Sequence, residues 1–123
     1  MGRISTILVD DEEDILPEYQ EMLELAGFDA AISSDPEDAF QIVCSNPDIE
    51  LVVTDLCMAR LDGASLISKL RSELPNRKLR FVVITGDATI AHDPAAVGGP
   101  VLLKPVQGKL LIQAVSQALS GRA

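Results

Sequence analysis

Short apolar runs rich in β-branched residues recur along this chain, and each is followed by a segment with the periodicity of an amphipathic helix. The first run ends abruptly in acidic residues that begin at Asp10, and a helical pattern starts at Asp14. Strands that are apolar on both faces and separated by helices form parallel sheets with both faces covered. The alternation therefore predicts an α/β fold with a doubly wound, five-stranded parallel sheet. The expected strands are residues 4–9, 28–32, 51–55, 81–85 and 101–103.

Residues that commonly start or stop helices stand at the ends of the helical segments. Asp35 and Pro36 form a typical N-cap and first-turn pair, and Gly27 lies where the first helix is expected to stop. The apolar positions between residues 110 and 119 predict a last helix that ends near the chain's final glycine. Cys44 is expected in the core, on the buried face of the second helix.

Length and composition limit the number of domains and the classes of function that the chain can have. The 123 residues are expected to form a single domain over 1–123. A net charge of −9 argues against direct binding to nucleic acid or to an anionic membrane, because both need a positive surface. No apolar stretch is long enough to span a membrane, and no secretory signal pattern is visible. Two cysteines make neither a disulfide scaffold nor a zinc site, so we expect a cytoplasmic location.

The polar residues best suited to catalysis or ligand binding all lie at the carboxyl ends of predicted strands. Asp10 and Asp11 follow the first strand and Asp55 ends the third, while Thr85 ends the fourth and Lys104 follows the fifth. Parallel sheets bind ligands beyond the carboxyl ends of their strands. We therefore expect these five residues to form one site.

Such a site suits phosphoryl transfer. A group of carboxylates is a hard oxygen ligand set that selects Mg²⁺ or Mn²⁺. Crowded like charges also raise the pKa of at least one carboxylate. A cation, the Lys104 ammonium and the Thr85 hydroxyl can neutralise a phosphoryl group. Asp55 is the expected nucleophile, with Asp10 and Asp11 holding the ion.

With these residues in place, the chain resembles the receiver domain of bacterial two-component response regulators. The resemblance covers about residues 4–120. Its motifs are the acidic pair Asp10-Asp11, the run Asp55-Leu-Cys-Met58 with Gly63 eight residues after the aspartate, Thr85-Gly86 and Lys104-Pro105.

The resemblance implies a flavodoxin-like strand order, 2-1-3-4-5, and a role in a phosphorelay. It implies that Asp55 takes a phosphoryl group from a sensor histidine kinase or a histidine phosphotransfer protein, and that an output protein or domain reads the change. It implies that Asp11, Asp55 and the backbone carbonyl of Cys57 ligate Mg²⁺, with Asp10 acting largely through water. It further implies that Thr85 and Lys104 carry the signal, and that the Lys104–Pro105 bond is cis.

The sequence departs from the family pattern at three places. Ala59 stands where the family usually has proline. Val101 stands three residues before the lysine, where the family has its switch aromatic, so the usual rotation of a Tyr or Phe is not available. Breakers at Asp93-Pro94 and Gly98-Gly99 predict that the fourth helix, between the fourth and fifth strands, is short or irregular. The segment around Lys104 is more similar to stand-alone receivers or those of hybrid histidine kinases than to those of transcription factors.

Two other functions stay open. A pseudo-receiver would bind partners without taking phosphate. A Mg²⁺-dependent phosphohydrolase with an aspartyl-phosphate intermediate is disfavoured, because Cys57 stands where such enzymes need a second carboxylate. No other enzymatic activity is expected beyond self-phosphorylation and autodephosphorylation. Glu12 and its acidic neighbours are read as solvated first-turn acids, and His92 as an ordinary surface residue.

Overall fold

The computed structural model describes residues 4–56, 63–86 and 100–120. Within these ranges no helix is long and apolar enough to cross a lipid bilayer. The strands are β1 (Thr6–Val9), β2 (Ala30–Ser33), β3 (Leu51–Asp55), β4 (Arg80–Thr85) and β5 (Val101–Leu103). The helices are α1 (Ile15–Leu25), α2 (Pro36–Ser45), α3 (Gly63–Glu73) and a C-terminal helix (Gly108–Ser120).

The strands form one five-stranded parallel sheet in the order β2-β1-β3-β4-β5. The predicted fold class and strand order are therefore confirmed. The register places Val9 of β1 opposite Thr54 of β3, and Thr85 of β4 opposite Leu103 of β5. The carboxyl ends of the strands thus meet at one edge. The expected fourth helix lies outside the described residues.

The three central strands, β1, β3 and β4, are buried on both faces, as their continuously apolar sequences predict. Successive side chains on a strand point to opposite faces. Ile7 and Val52 pack on one side in a core with α2 and α3, whereas Leu8 and Val53 pack on the other with α1 and the C-terminal helix. All four side chains are almost fully buried.

The helix ends follow the sequence signals. The Asp35 carboxylate accepts a hydrogen bond from the backbone N–H of Glu37 at 2.9 Å, and Pro36 opens α2. Gly27 has φ of 94°, the left-handed conformation that commonly follows a helix. The prediction for Cys44 was wrong, because this residue is exposed. Val43 takes the buried position instead, and the next residue lies about 100° further around the helix.

An arginine connects the loop after α3 to the end of α2. The Arg77 guanidinium donates to the carbonyl oxygens of Val43 at 2.9 Å, Asn46 at 3.1 Å and Ile49 at 2.9 Å. The first two carbonyls lie at the carboxyl end of α2, where a positive charge is favourable. These hydrogen bonds hold together the loops at the amino-terminal end of the strands, which is the end of the sheet opposite the acidic residues.

Candidate functional site

Two aspartates lie side by side at the carboxyl ends of the adjacent strands β1 and β3. Asp10 directly follows Val9 and Asp55 directly follows Thr54, and these two strand residues are paired between β1 and β3. Both aspartates are buried, with exposures of 1% and 4%. The backbone N–H of Asp10 donates to the carbonyl of Ser33 at 3.2 Å, so the ladder continues to this residue.

A third carboxylate completes a cluster. Asp11 is exposed, yet one carboxylate oxygen from each of Asp10, Asp11 and Asp55 lies within 4.8 Å of the others. The spacing arises because Asp10 and Asp11 directly follow β1, and β1 pairs with β3, which ends at Asp55. The cluster is one that could hold a metal ion.

The lysine that directly follows β5 contacts this cluster. The backbone N–H of Lys104 donates to the carbonyl of Thr85 at 2.8 Å, which extends the β4–β5 pairing by one residue. Its Nζ lies 2.9 Å from Oδ2 of Asp55 and 3.4 Å from Oδ2 of Asp10. The bond from Lys104 to Pro105 is cis, as the resemblance implies.

Thr85 is fully buried at the end of β4. Its neighbour Ile84 pairs with Asp55, so Thr85 stands one residue beyond the aspartate on the adjacent strand. The structure therefore brings Asp10, Asp11 and Asp55 together with Lys104 and holds Thr85 beside them. Cys57, the remaining predicted ligand, lies outside the described residues.

Burial and charge change the acid–base properties of two groups. Burial raises the pKa of Asp10, and the Asp55 charge adds to this; the hydrogen bond from the Glu12 backbone and the charge of Lys104 act against it. Burial alone would lower the pKa of Lys104, but its bond to Asp55 and the charges of Asp10 and Asp55 raise that pKa above its usual value. Lys104 is thus cationic at neutral pH. The expected raised carboxyl pKa is confirmed at Asp10, though burial contributes more than repulsion.

The donor set fits a small divalent cation. Oδ2 of Asp10 is buried and, among the described residues, accepts no hydrogen bond, although the Lys104 ammonium lies 3.4 Å away. A buried acceptor of this kind is costly unless it is paired. Carboxylate oxygens are the ligands that Mg²⁺ and Mn²⁺ prefer. The residues present therefore suit Mg²⁺ better than they suit a softer metal.

The sequence did not indicate that two further residues, Glu12 and Tyr19, lie beside the site. Glu12 was expected to be a solvated acid, but its Oε1 lies 3.2 Å from Nζ of Lys104. Tyr19 of α1 is buried, and burial together with the charge of Asp10 raises its pKa. Glu12, Tyr19 and Lys104 share the wall of a cavity of about 400 Å³ next to the cluster. No local pattern connects Glu12 to a lysine 92 residues away.

Gly63 supports the backbone at the end of β3. Its N–H donates to the carbonyl of Leu56 at 2.8 Å. A Cβ at this position would overlap the carbonyl oxygen of Asp55. A larger residue would therefore displace the backbone that holds the Asp55 carboxylate.

Comparison with known proteins gives the family. Residues 6–116 match the family model described as the response regulator receiver domain. The chain belongs to this family. The family is one of signalling domains, and receiver domains interact with histidine kinases and with output domains.

Curated relatives show receivers in several contexts. The chain is 32% identical over 110 residues to the phosphoglycerate transport system transcriptional regulatory protein PgtA of Salmonella typhimurium, covering 88% of this chain and 26% of that protein. It is 29% identical over 124 residues to a probable chemotaxis protein CheY of Rhizobium etli, covering 95% of each. A sensor kinase, CckA of Brucella abortus, also matches, at 26% identity. The receiver spans only 26% and 30% of the length of PgtA and of the response regulator PprB of Pseudomonas aeruginosa.

Solved receivers have the same fold. A response regulator receiver domain protein from Clostridium thermocellum is 28% identical, with a TM-score of 0.82 and 96% of both chains covered. A response regulator receiver protein from Pseudomonas putida is also 28% identical, with a TM-score of 0.82, covering 95% of this chain and 98% of that one.

Proposed function

We propose that this chain, as a single receiver domain over residues 1–123, accepts a phosphoryl group on Asp55 in a two-component phosphorelay. The donor would be phosphohistidine on a sensor histidine kinase or a histidine phosphotransfer protein. The observation that carries the proposal is the 2.9 Å contact between Lys104 Nζ and Asp55 Oδ2 inside a cluster of three aspartates. The proposed compartment is the cytoplasm.

The reaction joins a carboxylate oxygen of Asp55 to phosphorus while the bond from phosphorus to the donor's imidazole nitrogen breaks. Asp55 suits this role because it ends the central strand and is held rigidly by pairing with β4. Lys104 neutralises charge on the phosphoryl oxygens, and the Thr85 hydroxyl donates to one of them. Burial of the site strengthens these interactions relative to water.

Magnesium, or manganese in its place, would be held by Asp10, Asp11, Asp55 and the backbone carbonyl of Cys57. When bound, the ion supplies positive charge to the transferring phosphoryl group. The lone buried oxygen of Asp10 supports this assignment, because it lacks a hydrogen-bond partner in the described part of the chain.

Partner binding is proposed at the surface around the site. We place the contact with a helical donor domain on the exposed residues Pro17, Glu18 and Glu21 of α1 and on the loop after β5. Phosphorylation would then change affinity for an output protein or domain, without direct binding to nucleic acid or membrane. Val101 is half-buried and packs against the core with α2 and α3, so the output change would not use an aromatic rotation at this position.

The test is the intact mass of the protein after incubation with acetyl phosphate and Mg²⁺. We expect a gain of one phosphoryl group that does not occur when EDTA is present from the start and that is absent in Asp55→Asn. Asp48→Asn, an exposed aspartate distant in sequence from the site, is the matched control and should be phosphorylated normally. Uptake that persists in Asp55→Asn would place the nucleophile elsewhere.

Two further outcomes would support the alternatives. No uptake from acetyl phosphate or from purified kinases would favour a pseudo-receiver. Rapid release of inorganic phosphate without a stable adduct would favour a phosphohydrolase, against which Cys57 counts because it replaces the second carboxylate of such enzymes.

A further inference from the structure

Lys104 contacts three carboxylates, and only two of them belong to the metal cluster. Its Nζ lies 2.9 Å from Asp55, 3.4 Å from Asp10 and 3.2 Å from Oε1 of Glu12. Asp10 and Asp55 are members of the cluster that could hold an ion, whereas Glu12 is not. The ammonium donates hydrogen bonds to Asp55 and to Glu12, whereas its contact with Oδ2 of Asp10 is an ion pair without a hydrogen bond.

The backbone holds Glu12 in position even though its side chain is 69% exposed. Its N–H donates to Oδ1 of Asp10 at 3.0 Å. Its carbonyl accepts from the N–H of Ile15 at 3.1 Å, at the start of α1. The Glu12 carboxylate therefore leaves a fixed backbone directly beside Lys104, at the wall of the cavity that Tyr19 also lines.

Metal binding and phosphorylation would together weaken two of the three carboxylate contacts of Lys104. Asp10 and Asp55 would share their negative charge with a cation held in the cluster, so each would attract the Lys104 ammonium less. Phosphorylation of Asp55 would also convert its carboxylate into an acyl phosphate, whose carbonyl oxygen carries no charge. Glu12 is then the one contacting carboxylate, among the described residues, that keeps its full charge for Lys104.

We propose that Glu12 is a positioning residue that holds the Lys104 ammonium toward the phosphoryl oxygens once a cation occupies the cluster. This inference rests on the proposed function and goes beyond it, because it assigns a role to a side chain outside the ligand set. Glu12 acts through Lys104 and touches neither the ion nor the phosphoryl group.

The test measures binding of beryllofluoride, a stable mimic of a phosphoryl group on an aspartate, at saturating Mg²⁺. The chain has one tyrosine and no tryptophan, so the fluorescence of Tyr19 reports on the adjacent site. We expect Glu12→Ala to weaken beryllofluoride binding about twofold to fivefold, the range of an exposed ion pair. Glu12→Gln keeps the side-chain length and one oxygen that can accept a hydrogen bond, so its affinity for beryllofluoride should be intermediate.

Glu13→Ala is the matched control, because Glu13 is the exposed neighbour of Glu12 and its replacement removes the same charge. Loss of a negative charge alone favours an anionic ligand, so Glu13→Ala should bind beryllofluoride equally well or slightly better. The Mg²⁺ affinity, measured without beryllofluoride, should change equally in Glu12→Ala and Glu13→Ala. A merely structural role for Glu12 would lower both affinities together.

The outcomes separate the two proposals. If the wild-type protein binds no beryllofluoride with Mg²⁺, the proposed function fails. If the wild-type protein binds it and Glu12→Ala matches Glu13→Ala, or binds more tightly, the positioning role of Glu12 is wrong while the proposed function stands. Thermal unfolding of each variant checks that the exposed substitutions leave the fold intact.

Discussion

The two ends of the parallel sheet use charge in opposite ways. At the amino-terminal end of the strands, the Arg77 guanidinium satisfies the carbonyls of Val43, Asn46 and Ile49. At the carboxyl-terminal end, three aspartates crowd together, and a buried oxygen of Asp10 accepts no hydrogen bond within the described residues. One end is arranged to stabilise the fold, whereas the other carries an electrostatic cost.

The difference separates structural charges from functional ones. A charge that stabilises a fold has its partners already in place, as Arg77 does. A site that must bind a cation and an anionic group keeps some acceptors incompletely paired. The crowding at the carboxyl end is therefore expected to lower stability in the free protein and to be relieved by a ligand.

Removing the structural charge should have the largest effect. Arg77→Ala is expected to lower the free energy of unfolding by about 3 kcal/mol, because hydrogen bonds from a charged donor contribute more than neutral ones. Chemical denaturation measures this. Lys78→Ala, at the exposed neighbouring position, should change stability by less than about 0.5 kcal/mol. Equal effects of the two substitutions would show that Arg77 contributes nothing through its three contacts.

Adding a cation should relieve the cost at the other end. Mg²⁺ at about 100 times its dissociation constant is expected to stabilise the wild-type protein by about 2.7 kcal/mol. This stabilisation should be strongly reduced in Asp11→Asn and kept in Glu13→Gln, which leaves the cluster intact. Thermal unfolding with and without Mg²⁺ measures it. An unchanged Mg²⁺ effect in Asp11→Asn would place the cation outside the cluster.

Neutralising the buried aspartate should raise stability when no metal is present. Asp10→Asn is expected to increase the free energy of unfolding in EDTA by about 1 kcal/mol, in the range for an unsatisfied buried polar group. Asp48→Asn, at an exposed position, is the control and should have little effect. A loss of stability in Asp10→Asn would mean that attraction to Lys104 outweighs burial and repulsion.

The fold and most of the site were predictable because they follow from local patterns. Apolar strands ending in polar residues predict both a parallel sheet and the edge where those residues meet. Asp10, Asp11 and Asp55 were placed together on this basis, and Lys104 was placed beside them. The family resemblance added the strand order, which periodicity alone does not determine.

The contacts that escaped prediction join residues distant in sequence. Glu12 and Lys104 are 92 residues apart, and Arg77 reaches carbonyls 28 to 34 residues earlier. No periodic pattern encodes such a pair, because it depends on how loops approach after the sheet has formed. The prediction that Cys44 is buried failed for a different reason. Cysteine occurs on buried and on exposed faces of helices, and here the neighbouring Val43 takes the buried position.

The pH dependence of stability gives the smallest effect and the most specific test of the acidic end. The pKa of Asp10 is raised in the folded protein above its ordinary value of 3.8, mainly by burial. Stability that comes from binding this proton is fully present below pH 3.8 and is lost as pH rises through the raised pKa. In EDTA, wild type should therefore lose stability relative to Asp10→Asn over that interval, and the difference should become constant near neutral pH. Denaturation of both proteins across the acidic range measures this. A difference that does not vary with pH, or that varies in the opposite direction, would show that the Glu12 backbone and Lys104 already compensate the buried charge, and that the two ends of the sheet do not differ in the way proposed.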